Sequence, residues 1–204
     1  MRWLIVTSNK SKFICKAQTW LLQKYARVTP EYIDMEDKPI ENWCRNVYDG
    51  LNGIKDKHII FGLDDYLPTG ELKKLPVNLN ENIERLGFGY GDSRTKLIKR
   101  MFDTFFEYDN DANYRVTCQF SIWRTEALLR VLNEVNGSPW DFEKKGECKA
   151  FALKVPAFKY IEESALSKRW EGVNVRGMSK EDVEQLIELK FLEREKLINY
   201  GVNI

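Results

Sequence analysis

His58-Ile59-Ile60-Phe61-Gly62-Leu63 is an apolar run that leads directly into Asp64-Asp65-Tyr66. Apart from His58, the lead-in residues suit a buried strand. Two acids then stand where that strand would emerge. A buried strand has no use for paired carboxylates, whereas a divalent cation holding phosphates does, and oxygen ligands at the tip of a rigid element suit Mg²⁺ or Mn²⁺. An Asp-rich turn is the plain structural reading of the same pair.

Upstream, strand-like and helix-like stretches alternate. Arg2 to Thr7 reads as a short buried strand, and Ser8 to Lys12 as a polar cap. Phe13, Ala17, Trp20, Leu21 and Tyr25 fall on one helical face. Arg27 to Asp34 is a second strand, with Pro30 favouring an edge or a strand start. Ile40, Trp43, Cys44, Val47, Tyr48, Leu51 and Ile54 keep the spacing of an amphipathic helix. This order predicts an α/β domain with an open, mainly parallel sheet flanked by helices.

Downstream, Thr69 to Asn82 reads as a surface excursion and Gly87 to Asp92 as a glycine-rich mobile loop. Leu97, Ile98, Met101, Phe102 and Phe105 predict a helix over Thr95 to Phe106. Tyr114 to Trp123 alternates as a strand, with Trp123 on the face opposite Ile122. A helix carrying Leu128, Val131, Leu132 and Val135 stops near Asn136-Gly137. Ser138, Pro139 and the acids that follow fit another helix start. Lys149 to Val155 is a late strand, and Ser179 to Glu193 a last amphipathic helix.

The chain has 204 residues, 43% hydrophobic and 31% charged, as expected of one soluble globular domain. Its elements group into residues 1–110, 111–160 and a helical extension over 161–204. A formal net charge of +1 supplies no strong field toward nucleic acid or an anionic membrane. No apolar stretch is long enough to span a bilayer, and Met1 to Thr7 lacks a signal-peptide core, so a cytoplasmic location is expected. Cys15, Cys44, Cys118 and Cys148 are widely spaced and read as reduced core thiols. The single histidine, His58, sits inside an apolar strand and reads as structural. Ser-His-Asp and Cys-His catalysis are thereby disfavoured.

Open α/β sheets bind ligands at the carboxyl ends of their strands. Thr7 and Ser8 leave the first strand, Asp34 ends the second, and Asp64-Asp65 end the third. Together they suit a nucleotide-diphosphate donor, with a metal at the acid pair. Arg94 and Lys96 follow the glycine-rich loop and could grip phosphates, or be solvated cations. Neither G-x-G-x-x-G at the first strand nor a Walker loop occurs. In Trp140-Asp141-Phe142-Glu143, an acid beside an indole could serve as a general base, its pKa raised by apolar neighbours. The same acids equally suit an ordinary helix N-terminus.

Thr7-Ser8, L-D-D-Y (Leu63–Tyr66), C-Q-F-S-I-W (Cys118–Trp123) and S-P-W-D-F-E (Ser138–Glu143) occur in that order. On these motifs the chain resembles small bacterial and phage nucleotide-sugar-dependent glycosyltransferases of the GT-A type. The resemblance covers residues 1–150. It implies a GT-A-like, Rossmann-like fold that moves a sugar from a UDP-sugar to an acceptor hydroxyl with inversion. It implies Asp64 and Asp65 at Mn²⁺ or Mg²⁺, and Thr7 and Ser8 in the nucleotide pocket. It further implies Glu143 as base with Asp141 as its rival, and Trp123 and Trp140 stacked on the acceptor. The acceptor would be a glycan or a hydroxymethylated base in phage DNA, and the compartment then the host cytoplasm. The chain departs from the pattern in two ways: its acids are adjacent, and no histidine follows His58.

Two other classes fit parts of the chain. A nucleotidyltransferase also pairs carboxylates with Mg²⁺, but Thr7 to Lys12 holds no glycine. A non-catalytic assembly module could use Tyr160 to Arg176 and the last helix as a partner surface.

Overall fold

The computed structural model describes residues 1–8, 15–36, 38–64, 66–68, 70–75, 79, 81–88, 98–112, 115–154, 160–162, 184 and 188. The elements run Trp3–Thr7 (β1), Cys15–Ala26 (α1), Glu31–Asp34 (β2), Trp43–Leu51 (α2, entered through a 3-10 turn at Ile40–Asn42), His58–Leu63 (β3) and Tyr66–Pro68 (β4). They continue with Arg85–Gly87 (β5), Ile98–Met101 (β6), Phe105–Tyr108 (β7), Ser121–Arg124 (β8), Thr125–Val135 (α3), Pro139–Lys145 (α4), Ala150–Leu153 (β9) and Tyr160–Glu162 (β10).

Among the described residues, β1 to β3 and β5 to β9 form one eight-stranded sheet in the order β2-β1-β3-β8-β5-β9-β7-β6. All its strands run in one direction except β7 and β8, which run against their neighbours. The open, mostly parallel α/β sheet expected from the sequence is therefore present. Because β8 is inserted between β3 and β5, residues from both halves of the chain share this one sheet. The short strands β4 and β10 make a separate antiparallel pair.

Both faces of the sheet are covered, so its central strands alternate between two cores rather than between core and water. Leu4 and Val6 of β1, with Ile59 and Phe61 of β3, join a cluster with Trp43, Val47, Leu128, Leu132 and Phe142. That cluster lies under α2, α3 and α4. Trp3 and Ile5, with Ile60, join Leu22 of α1, Tyr66, Phe88, Phe120 and Ile122 on the other face. Gly62 permits this packing: a Cβ there would meet the Phe120 ring at 2.5 Å.

Helix boundaries follow local chemistry. Asn136, at φ 43° and ψ 57°, ends α3 in the left-handed conformation that asparagine tolerates. Ser138 and Asp141 form a reciprocal capping box at α4, with Pro139 in the first turn.

Four expectations need correction or qualification. Residues 98–108 form the hairpin β6–β7, not a helix. The Phe102 N–H donates to the Phe105 carbonyl at 2.8 Å, closing a turn over Asp103 and Thr104. Phe102 and Phe105 then stack at 4.6 Å and pack on Phe151. Cross-sheet aromatic contact outweighs the helical spacing here. Gly87 ends a strand, β5, rather than opening a loop. The alternation over 114–123 does not define one long strand: ladder pairing is confined to β8, and Val116 and Phe120 enter different cores. The final helix is described only at residues 184 and 188, both helical. No helix among the described residues is long and apolar enough to cross a membrane.

Candidate functional site

The carboxyl edge of β1, β2 and β3 carries a compact polar cluster. The register pairs Thr7 with Asp34 and Val6 with Leu63, so Thr7, Asp34 and Asp64 lie in one row across three adjacent strands. Asp64 is buried. Its backbone N–H donates to the Val6 carbonyl at 3.1 Å. In return its Oδ2 accepts from the Ser8 N–H at 3.3 Å. The Asp34 carboxylate accepts from the Glu36 N–H at 2.9 Å, fixing the turn that follows β2. Thr7, Ser8, Asp34 and Asp64 are thus brought together, as strand ends of parallel neighbours must be.

Helix α1 and Tyr32 of β2 close one side of this cluster with residues that the sequence reading did not assign to a site. Cys15 Sγ lies 3.1 Å from Thr7 Oγ1. Burial pushes the Cys15 thiol up to about 11; the Thr7 hydroxyl opposes this, and the charges of Asp64 and Asp34 add to it. It is a thiol, not a thiolate, at neutral pH. Burial likewise raises the Tyr32 phenol, which stays protonated. Its hydroxyl lies 2.8 Å from the Cys15 carbonyl and 3.0 Å from Gln18 Oε1. Gln18 is wholly buried. One sequence signal pointed to it: a polar amide sits in the stripe Gln18, Leu21, Leu22, Tyr25 where apolar residues are expected.

The second part of the candidate site comes from α4. Glu143 Oε1 accepts from the Cys118 N–H at 2.8 Å. The Cys118 carbonyl in turn accepts from the Leu63 N–H at 3.2 Å. Leu63 directly precedes Asp64, so two successive hydrogen bonds join Glu143 to the residue beside Asp64. They reach it across the carboxyl end of β3.

Asp141 is placed differently. Its Oδ2 accepts from the Ser138 N–H at 3.0 Å and the Ser138 hydroxyl at 2.6 Å. Its Oδ1 lies 2.7 Å from Lys145 Nζ. The Lys145 and Ser138 contacts hold this carboxyl well below the usual carboxylate range. Asp141 is therefore a helix cap with little basicity, which corrects its candidacy as a rival base. Trp140, one turn before Glu143, is 59% exposed. Trp123, expected to face an acceptor, is wholly buried and sits 6.1 Å from the Phe142 ring. The cause is the cover of helices over that face of β8, and Trp123 is a core residue here, not a stacking platform.

Asp65 and Arg94 lie outside the described residues. Asp64 and the hydroxyls of Thr7 and Ser8 are hard oxygen donors, the type that Mg²⁺ and Mn²⁺ accept. Among the described residues no group of three or more His, Cys, Asp or Glu side chains could by itself hold a metal ion. His58 starts β3, at the far end of the strand from Asp64. Burial and the nearby Lys57 and Arg124 lower its pKa, so it is neutral at pH 7. The four cysteines are free thiols.

No family model matches the chain, and no curated protein matches it by sequence. Solved structures resemble it remotely. A197 from STIV is 14% identical, with a TM-score of 0.42, over 79% of this chain and 85% of that one. A catalytic domain of Drosophila β-1,4-galactosyltransferase 7, in complex with xylobiose, is 11% identical with a TM-score of 0.37, over 87% and 78%. A mutant of that enzyme in complex with manganese, UDP-Gal and xylobiose is 12% identical with a TM-score of 0.34, over 62% and 50%. The likeness concerns the arrangement of the fold, and no donor, reaction or acceptor for this chain follows from it.

Proposed function

We propose that the chain is a glycosyltransferase that moves a sugar from a nucleotide-diphosphate sugar, a UDP-sugar first among them, to an acceptor hydroxyl. The observation that carries this reading is the tie from Glu143 through Cys118 to Leu63. It brings an acid on a short capped helix to the strand end where Thr7, Ser8, Asp34 and Asp64 gather.

In this reading Thr7, Ser8 and Asp34 bind the nucleotide, as strand-end residues of open sheets do. Asp64, with Asp65, would hold Mn²⁺ or Mg²⁺, and Arg94 would add charge against the phosphates. A bound cation would neutralise the diphosphate as it leaves. Glu143 accepts the proton of the acceptor hydroxyl as that oxygen attacks the anomeric carbon. Its Oε1 is held by the Cys118 amide, which fixes the direction of the carboxylate. Holding both reactants across one sheet edge turns a bimolecular displacement into a local one. A single in-line displacement inverts the anomeric centre. Trp140, exposed on the helix that carries Glu143, would stack on an acceptor ring, whether a glycan or a modified DNA base.

The test is direct. The chain is mixed with a panel of sugar nucleotides and Mn²⁺, and released nucleoside diphosphate is measured. UDP with Mn²⁺ should also raise the melting temperature. Release of pyrophosphate instead would mark a nucleotidyltransferase, and no stabilisation or turnover with any donor would mark a non-catalytic module.

A further inference from the structure

Gln18 occupies an unusual position. Its Nε2 lies 3.2 Å from the Leu63 carbonyl and 2.9 Å from the Tyr66 carbonyl. Those carbonyls belong to the residue before Asp64 and to the second residue after it. One buried amide therefore has a hydrogen for each of two carbonyls that flank Asp64 in sequence, one in β3 and one in β4. Both carbonyls can only accept, so they turn Nε2 toward Leu63 and Tyr66. The Tyr32 hydroxyl lies 3.0 Å from Oε1 and 2.8 Å from the Cys15 carbonyl, and its single hydrogen goes to one of the two. Thr19 Oγ1, also 3.0 Å away, can donate to the same phenol oxygen. Linked hydrogen bonds of this kind in a buried setting resist rearrangement. On its other side this strand end is held by β1, through the Asp64 N–H to Val6 and the Ser8 N–H to Asp64.

A buried amide so placed is more than core filling. An apolar residue of the same size would fill the space at no polar cost, but would remove both of these hydrogen bonds from the residues flanking Asp64. We propose that Gln18, backed by Tyr32, is the positioning residue that fixes the strand end carrying Asp64 for a divalent cation and hence for the donor diphosphate. The inference rests on the donor-site reading above.

The test uses the full chain with Mn²⁺ alone, UDP alone, and both together. Gln18→Leu, Gln18→Glu and Tyr32→Phe are compared with the unmodified protein, after circular dichroism and melting curves show that each is folded. Gln18→Leu should weaken Mn²⁺ binding about 10-fold or more, the usual effect of removing a group that orients a metal ligand. UDP binding in the absence of metal should be unchanged. Tyr32→Phe should shift in the same direction by less. Gln18→Glu should bind Mn²⁺ poorly at about pH 8 and recover toward about pH 5.5, because a buried carboxyl facing carbonyls regains a donor hydrogen when protonated. A residue that merely filled the core would change melting temperature and move neither the metal dependence nor the pH profile.

Folded variants that bind Mn²⁺ and UDP like the unmodified protein would overturn the assignment. So would equal losses of UDP affinity with and without the cation. If Gln18→Leu does not fold, Gln18→Glu and Tyr32→Phe decide. If the unmodified chain binds neither Mn²⁺ nor UDP, the donor reading itself has failed and this inference falls with it, a result visible before any substitution is made.

Discussion

At the scale of single residues, three aromatic and acidic side chains from two motifs have different fates. Glu143 points back to the sheet edge, Trp140 stands in solvent, and Trp123 is enclosed. Glu143→Gln keeps a hydrogen-bond acceptor for the Cys118 amide but cannot take a proton. Turnover should fall about 10²-fold or more while the UDP dissociation constant, measured by calorimetry, stays the same. Loss of UDP binding in this variant would show that Glu143 serves the donor, not the acceptor. The two tryptophans separate stability from recognition. Trp123→Ala should cost about 3–5 kcal/mol in denaturant unfolding, as removal of a wholly buried ring does. Trp140→Ala should stay within about 0.5 kcal/mol of the parent, yet raise the acceptor KM. Residue chemistry at strand ends was readable in advance, because Thr7, Asp34 and Asp64 need only the parallel order of their strands to meet. The burial of Trp123 was not, since alternation names two faces and cannot say that both are covered.

At the scale of elements, α4 is the piece that aims Glu143, and its start is set by Ser138 and Asp141. Ser138→Ala should destabilise the protein by about 1 kcal/mol. Asp141→Ala should be destabilising too, with a defined pH dependence. The Asp141 carboxyl is held below its ordinary value in the folded chain. Its contribution is therefore present above the ordinary carboxylate range and is lost as the pH falls below that range toward the folded value. Unfolding curves of parent and variant should differ at neutral pH and converge in acid; a gap that persists in acid would refute the electrostatic part of this account. Strand β3 offers a second check. Gly62→Ala should cost about 1–3 kcal/mol, because the Phe120 ring occupies the space a methyl group would need. The capping signal of α4 was legible because it is local. The hairpin over 98–108 was not, because its helix-like spacing is overruled by contacts with Phe151, far away in sequence.

At the scale of the molecule, the sheet brings together what the chain keeps apart. Strand β8 enters antiparallel between β3 and β5, so Cys118, just before it, arrives at the end of β3. Helix α4 follows closely and delivers Glu143 to the same edge. The sequence motifs around Asp64 and Glu143 are separated by more than half the first 150 residues of the chain, and only the strand order joins them. That joining was inferred from resemblance; nothing in composition or periodicity required it. The most direct measurement is a crystal structure of the full chain with UDP and Mn²⁺. The account predicts the diphosphate at the carboxyl edge of β1 and β3, beside Asp64, with an open path from the β-phosphate to the Glu143 carboxylate. Nucleotide bound elsewhere on the molecule, or a Glu143 carboxylate walled off from the diphosphate by protein, would contradict it.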